Sequence, residues 1–451
     1  MKTSTFKKLG TGIALSLVTS TMLHATNGDT LIAVGAKARG MGGTGIAVSH
    51  GAESTISNPA MISTIEGTEI SFGGTIFMPT IKTTINPAGG MFPSQPLTSD
   101  ADMNMIPEVS IAHKINENWY IGIGMWGTAG MGTDYSKAQM SFSPTSYPKF
   151  GNLNMVTNLQ LMQFAVPVAY KTGGLTVAAA PVLQYGNLDI NYRMPDGRGN
   201  INNIGAGLAQ DFGFGWTAGL SYDFSNGLVI GAVYKSSIEM TYINQLSSAT
   251  APFVAMGAFP APLADTLEQP AEIGAGISYT FGGHTLAFDY KKIKYSSATG
   301  YKEFQWEDQN VYAVGYQYAQ DNWAIRLGYN HGSSAVVEQT GATTPQGMGA
   351  QSAINFFNLL GFPATEESHI TLGGTYEFTK AFSLDLAMST EQTTKRHSVS
   401  LPLHSLSVQT PSQQSTKSQA SLSSLLITFN HLSPHMWGES SSNTSSFKSL
   451  S

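Results

Sequence analysis

One stretch formally matches a phosphate-cradling pattern. Gly40-Met-Gly42-Gly43-Thr-Gly45 reads as G-x-G-x-x-G. In a dinucleotide site such glycines let the backbone approach a pyrophosphate at a helix N-terminus, which needs a strand before them and a long helix after. Neither is evident around Gly40, so close backbone packing is the remaining reading. The 10 His are scattered, no H-E-x-x-H run occurs and the chain has no Cys. Metal binding and metal-assisted hydrolysis therefore lack a ligand pattern, and no Ser/His/acid grouping marks a nucleophile. No catalytic residue, metal or cofactor is assigned.

The more informative side chains are apolar. Two stretches between polar segments read Ala251-Pro-Phe-Val-Ala-Met-Gly-Ala-Phe-Pro-Ala-Pro-Leu263 and Ala353-Ile-Asn-Phe-Phe-Asn-Leu-Leu-Gly-Phe362. Exposed apolar patches usually mark binding sites. Phe253, Val254, Met256, Phe259, Phe356, Phe357, Leu359 and Leu360 are the candidates for a groove that takes a hydrocarbon tail. The competing reading has them pack on one another as a cap.

These stretches need a scaffold, and the sequence writes it in period two, which puts alternate side chains on opposite faces of a strand. In Phe214-Gly-Trp216-Thr-Ala218-Gly-Leu220-Ser-Tyr222-Asp-Phe224 one face is large and apolar and the other is Gly, Thr, Gly, Ser and Asp. Residues 273–281, 323–329 and 370–378 repeat the alternation. The apolar face carries bulky aromatics near one or both ends, as a lipid-facing band with aromatic girdles does. The other face carries Gly, Ser, Thr and charges such as Asp223, Asp289, Lys291, Arg326, Glu377 and Asp385, suited to a wet or plugged lumen. Only 12% of the 451 residues are charged, mean hydropathy is -0.05 and no 18-residue apolar run follows the first thirty residues. That composition suits membrane strands rather than membrane helices. A net charge of -6 gives no hint of a nucleic-acid partner.

About fourteen strands are expected, starting near Ile70, Met105, Trp119, Leu159, Leu175, Phe214, Leu228, Ile273, Leu286, Val311, Trp323, Ile370, Phe382 and Ser421. The connections alternate strictly. Tight turns fall at 116–118, 173–174, 225–227, 282–283, 321–322 and 380–381. Longer loops fall near 86–104, 132–156, 195–211, 244–268, 298–310, 337–367 and 396–418. Outer-membrane barrels alternate in this way, with short turns at the periplasm and long loops outside. The fold class is thus an all-β, antiparallel transmembrane barrel with both termini in the periplasm.

The start of the chain breaks the pattern. Residues 1–25 carry Lys2, Lys7 and Lys8, then a mostly apolar stretch to Leu23, then Ala25, as a secretory signal peptide does. Residues 26–67 are rich in Gly, Ala and Ser. Within them Asn58 is a good helix N-cap, Pro59 suits the first helical position and Gly67 can end the turn. A helix of about two turns is too short to stand alone. It needs enclosure, and the barrel mouth offers it, so 26–67 reads as a plug or hatch with short helices, 68–429 as the barrel and 430–451 as a Ser-rich tail.

This mature start resembles the long-chain fatty acid outer-membrane transporter family (FadL-like). The likeness rests on Ala38-Arg39-Gly40-Met41-Gly42-Gly43, on Glu53 in His50-Gly51-Ala52-Glu53, and on Asn58-Pro59-Ala60. Residues 122–132 and 353–363 add to it, and it covers roughly 26–388. The resemblance implies a fourteen-strand barrel, an N-terminal hatch carrying the Asn-Pro-Ala motif and a third strand kinked inward at a side window. Gly122, Gly124, Gly127, Gly130 and Gly132 fall on that strand, where glycine invites a bulge or kink. A carboxylate head would need a cation or backbone donors, and Arg39, Lys291 and Arg326 are the candidates, each with an ion pair to Asp289 or Glu53 as the alternative.

The chain departs from the family at its end. The last strand candidate, 421–429, is followed by 22 patternless residues. The expectation is a monomeric, passive outer-membrane channel for long-chain fatty acids or other hydrophobic molecules, in contact with outer-membrane lipid and lipopolysaccharide. The rivals are a general porin for small polar solutes and a surface adhesin or structural barrel.

Overall fold

The computed structural model describes residues 26–87, 95–137, 154–195, 201–255, 257–259, 263–337, 339, 350–392, 399–401 and 419–430. The expected signal peptide, Met256 and the tail beyond Asn430 lie outside these residues.

The strands form one antiparallel wall. In chain order they are β1 (Thr68–Pro87), β2 (Asn104–Lys114), β3 (Trp119–Asp134), β4 (Val156–Ala165, resumed at Val168–Thr172), β5 (Leu175–Pro195), β6 (Ala209–Asp223) and β7 (Leu228–Lys235). They continue as β8 (Glu272–Phe281), β9 (His284–Ile293), β10 (Gln309–Gln320), β11 (Trp323–Gly332), β12 (Ser368–Thr379), β13 (Phe382–Gln392) and β14 (Gln419–Asn430). Each pairs antiparallel with the next, from β1–β2 to β13–β14. β14 then pairs with β1, from Gln419↔Lys82 to Asn430↔Ser71, and the sheet closes on itself. Closure removes the exposed edges that an open sheet presents. Every strand start expected from the sequence lies inside one of these strands, and the last runs one residue past Phe429.

The alternation sorts as a membrane wall requires. On β6, Phe212, Phe214, Trp216, Leu220 and Tyr222 point out and are exposed, while Thr217 and Ser221 are buried. On β11, Trp323, Ile325, Leu327 and Tyr329 are exposed, and Arg326 and Asn330 between them are buried. Asp289 and Asp385 also face inward. Asp223 and Glu377 depart from the expected inner-face charges: both are exposed beside tight turns.

Residues 26–65 occupy the interior. Their backbone and side chains bond to inward groups of β1, β6, β8, β9, β11 and β12. Asn58 does act as the N-cap: Ala60 N donates to Asn58 Oδ1 at 3.0 Å, with Pro59 at the first position. The helix is a 3-10 turn, Pro59–Thr64, shorter than the expected stretch to Gly67. Gly67, at φ +82°, makes the turn into β1 instead. Shorter helices precede it at Ala36–Gly40, Gly51–Glu53 and Ser54–Ser57. The Gly40–Gly45 stretch follows a five-residue helix rather than opening a long one, as close packing demands.

Candidate functional site

The interior segment is held through places where the wall carries glycine. Asn58 Nδ2 donates to Ile46 O at 2.7 Å and to Leu220 O on β6 at 3.1 Å. A Cβ at Gly219 would fall 2.9 Å from Pro59 Cδ, and one at Gly231 would fall 3.2 Å from Asn58 Nδ2, so these two wall glycines make the seat for Asn58-Pro59. Gly42, at φ +70°, lies against the Tyr329 backbone, and its N–H donates to Thr371 Oγ1 at 2.9 Å. Asp289 Oδ2 accepts from Gly45 N at 2.7 Å and Ile46 N at 2.9 Å.

Buried charge lies within the segment and on the wall against it. Glu53 Oε1 accepts from Ser71 Oγ at 2.5 Å, and burial, reinforced by the nearby Glu108, pushes its carboxyl well above the usual carboxylate range. Lys37 lies 3.8 Å and Arg326 3.6 Å from the Asp385 carboxylate. Arg326 also donates to Gln317 Oε1 at 2.7 Å and Thr375 Oγ1 at 2.6 Å. Arg39 donates to Ala33 O at 2.9 Å and Thr75 Oγ1 at 3.1 Å, and burial lowers its pKa to about 10. Lys291 borders a separate small chamber with Lys235, Glu272 and Asp289. The three cations singled out from sequence therefore stand at three different places.

β3 is where the wall departs from regularity. Its pairs with β2 run from Tyr120↔Lys114 to Trp126↔Glu108 and stop there. Its pairing with β4 shifts register between Gly127 and Ala129, a bulge. Beyond it the free edge of β3 is taken by the interior segment: Ala129 pairs with Thr30, and Gly130 N donates to Asp29 O at 2.9 Å. Residues 104–107 of β2 pair with β1 but not, among the described residues, with β3. The two strands part at that height.

A cavity of about 450 Å³ lies at this parting. Met105, Ile106, Met131, Leu159, Leu161 and Phe77 give it apolar wall; Gly127, Gly130 and Gly132 line it too. Gly122 and Gly124 do not: they lie lower on β3, against Pro167 and the Trp126 ring. Glu366 forms part of the opposite side, and burial raises its carboxyl above the ordinary range.

The apolar stretches meet each other. Phe253, in the helix Leu246–Ala255, packs on Phe356, Phe357, Phe259 and Tyr192 with ring centroids 5.2–6.4 Å apart. Leu359 and Leu360 are buried with them, and Val254 is partly buried against the same cluster. None of the loop candidates among the described residues lines the cavity, whereas Leu159 and Leu161 of the same buried cluster do. The cluster reaches the interior through a chain of contacts. Trp306 Nε1 donates to Asn358 Oδ1 at 3.1 Å, and Trp306 packs on Tyr295 and Tyr301. The hydroxyls of those tyrosines donate to Asp29 at 2.5 and 2.6 Å. Asp29 is the residue whose carbonyl holds Gly130.

Glu366, Asn187, Ile106 and the Asp29–Tyr295–Tyr301 group escaped the sequence reading. The last joins residues 266 and 272 positions apart, which no local pattern reports. Ile106 had a signal: Pro107 follows it, and proline within a strand belongs to an edge.

Comparison with known proteins agrees with this geometry. A family model described as outer membrane protein transport protein (OMPP1/FadL/TodX) matches residues 17–431. The chain is 24% identical over 357 residues to the 47 kDa outer membrane protein of Pasteurella multocida, covering 75% of this chain and 81% of that one. The Pseudomonas putida toluene transporter TodX superposes with a TM-score of 0.61 at 17% identity, covering 90% of this chain and 100% of TodX. A Pseudomonas aeruginosa FadL homologue gives 0.60 at 13% identity, covering 89% and 98%. With a closed barrel, an exposed apolar belt and a family match over most of its length, the chain belongs to the OMPP1/FadL/TodX family of outer-membrane transport proteins.

Proposed function

We propose that this protein is a passive uptake channel for hydrophobic small molecules, long-chain fatty acids or hydrocarbons among them, with residues 26–67 as its gate. The observation that carries the reading is the parting of β2 from β3 above Glu108↔Trp126, with an apolar cavity at that height. An apolar molecule leaving there would pass sideways into lipid without crossing water. The apolar loop residues are buried on one another as a cap and would meet substrate only when that cap opens; the loop rings, Asp29 and Gly130 give a physical route by which such a movement reaches the β3 edge. The closed ring satisfies its own strand edges, which suits a monomer in contact with outer-membrane lipid and lipopolysaccharide.

Uptake of labelled oleate and labelled toluene by cells with and without the gene tests this. At least one should enter faster with the gene, while purified protein in liposomes should pass small sugars no faster than empty liposomes. Unchanged uptake of both, with rapid sugar entry, would replace the reading with a general porin.

A further inference from the structure

The cavity at the β2–β3 parting is apolar over most of its wall, and its charge has one sign. Asp134 and Glu366 line it, and among the described residues no Lys, Arg or His does. Glu366 is 2% exposed; the backbone N–H groups of Thr365 and Glu366 reach its carboxyl, and its Oε1 has no hydrogen-bond partner. Asn187, on β5, donates Nδ2 to Gln160 Oε1 at 3.1 Å, and its own Oδ1 is likewise buried without a donor. Two of the three threonine hydroxyls of this wall are already used. Thr133 Oγ1 donates to Leu360 O at 2.9 Å, and Thr157 Oγ1 to Gly361 O.

Two buried acceptors without donors on one cavity call for an occupant that brings a donor, because an unmade buried hydrogen bond is costly. A hydrocarbon brings none. A carboxylate anion brings only further acceptors and a charge of the same sign as Asp134 and Glu366, and Arg39, Lys291 and Arg326 all stand away from the cavity. A volume of about 450 Å³ lies within the range that holds small organic ligands.

Resting on the uptake reading above, we propose that this cavity selects uncharged apolar molecules carrying a hydroxyl donor, such as a long-chain alcohol or an alkylphenol. The hydroxyl donates to Glu366 Oε1, the chain lies along Met105, Ile106 and Met131, and carboxylate anions are excluded. Glu366 is thereby a specificity-determining residue.

Calorimetric titration of the full chain in detergent with 1-decanol, decyl methyl ether and decanoate at alkaline pH tests the assignment. The ether keeps the chain and the oxygen but has no donor. Decanol should bind about tenfold tighter than the ether, the size expected for a hydrogen bond to a charged group, and decanoate should give no measurable heat. Glu366→Leu should bring the decanol-to-ether ratio near one. Glu366→Gln should keep the preference, since its amide oxygen still accepts. Both variants are first checked for the parent's heat-modifiable migration, so that an unfolded barrel is not scored. Decanoate binding as tightly as decanol, or an unchanged ratio in Glu366→Leu, overturns the assignment. Equal binding of decanol and ether also overturns it and leaves the uptake reading standing. Absence of binding by all three, with no uptake in cells, removes both.

Discussion

Asn58 and Leu220 are joined by a hydrogen bond from Nδ2 to a wall carbonyl, 3.1 Å long and 162 residues apart in sequence. The same amide caps the 3-10 turn and holds Ile46. One side chain thus fixes a helix start, a preceding loop and a barrel strand together. Asn58→Ala removes the cap and both donated bonds, about 3 kcal/mol in all. Hydrogen exchange at residues 59–64 should quicken by about 100-fold, with heat-modifiable barrel migration unchanged. The double variant Asn58→Gly, Pro59→Gly should in addition alter uptake. Uptake equal to the parent's would make the Asn58-Pro59-Ala60 motif packing and nothing more.

The parting of β2 and β3 can be stapled. A Cβ on Gly127 would stand 3.6 Å from Ile106 Cβ, within the roughly 3.5–4.5 Å that a disulfide spans. The chain has no Cys of its own to interfere. Ile106→Cys with Gly127→Cys should lose most uptake when oxidised and regain it under dithiothreitol. Full uptake by the cross-linked form would rule out lateral exit at this height.

Glu53 makes the seating of the segment depend on pH. Burial raises its pKa first, then Glu108, against an opposing effect of Lys37; Asp385 adds to the rise and Ser71 opposes it. A carboxyl raised by docking binds its proton more tightly when docked. Its contribution is present in full below the ordinary carboxylate value and lost as pH rises through the raised one. Hydrogen exchange at the backbone around Glu53 should therefore quicken as pH rises over that interval, and Glu53→Gln should flatten the dependence. An identical slope in the variant would assign the effect to another group.

Phe357 lies at the centre of the outer aromatic cluster, 5.2 Å from Phe253 and 5.3 Å from Phe304 and Phe356 by ring centroid. Phe357→Ala should cost that cap about 3–5 kcal/mol. Limited proteolysis should then cut near 246–259 or 350–361 while the barrel stays intact. If the cluster also collects substrate, the concentration for half-maximal uptake should rise in step. Easier cutting with unchanged uptake would leave these residues as a cap alone.

The sequence by itself determined the wall. Alternation on β6, β8, β11 and β12, and glycine or asparagine at each tight turn but Lys380-Ala381, are local rules, so Phe214, Trp216 and Trp323 could be turned outward from spacing alone. The Asn58 cap was legible for the same reason, since a cap is written within three residues. The β3 glycines marked the irregular strand, yet which of them face the cavity depended on where pairing with β2 stops. Tertiary structure alone decided the rest. Closing the ring brought Asp29 to Tyr295 and Tyr301, set Gly219 and Gly231 under Asn58, sent Arg39 and Arg326 to buried partners and left Glu366 facing apolar wall. These relations join residues far apart in the chain, and only the register of the closed barrel fixes which of them meet.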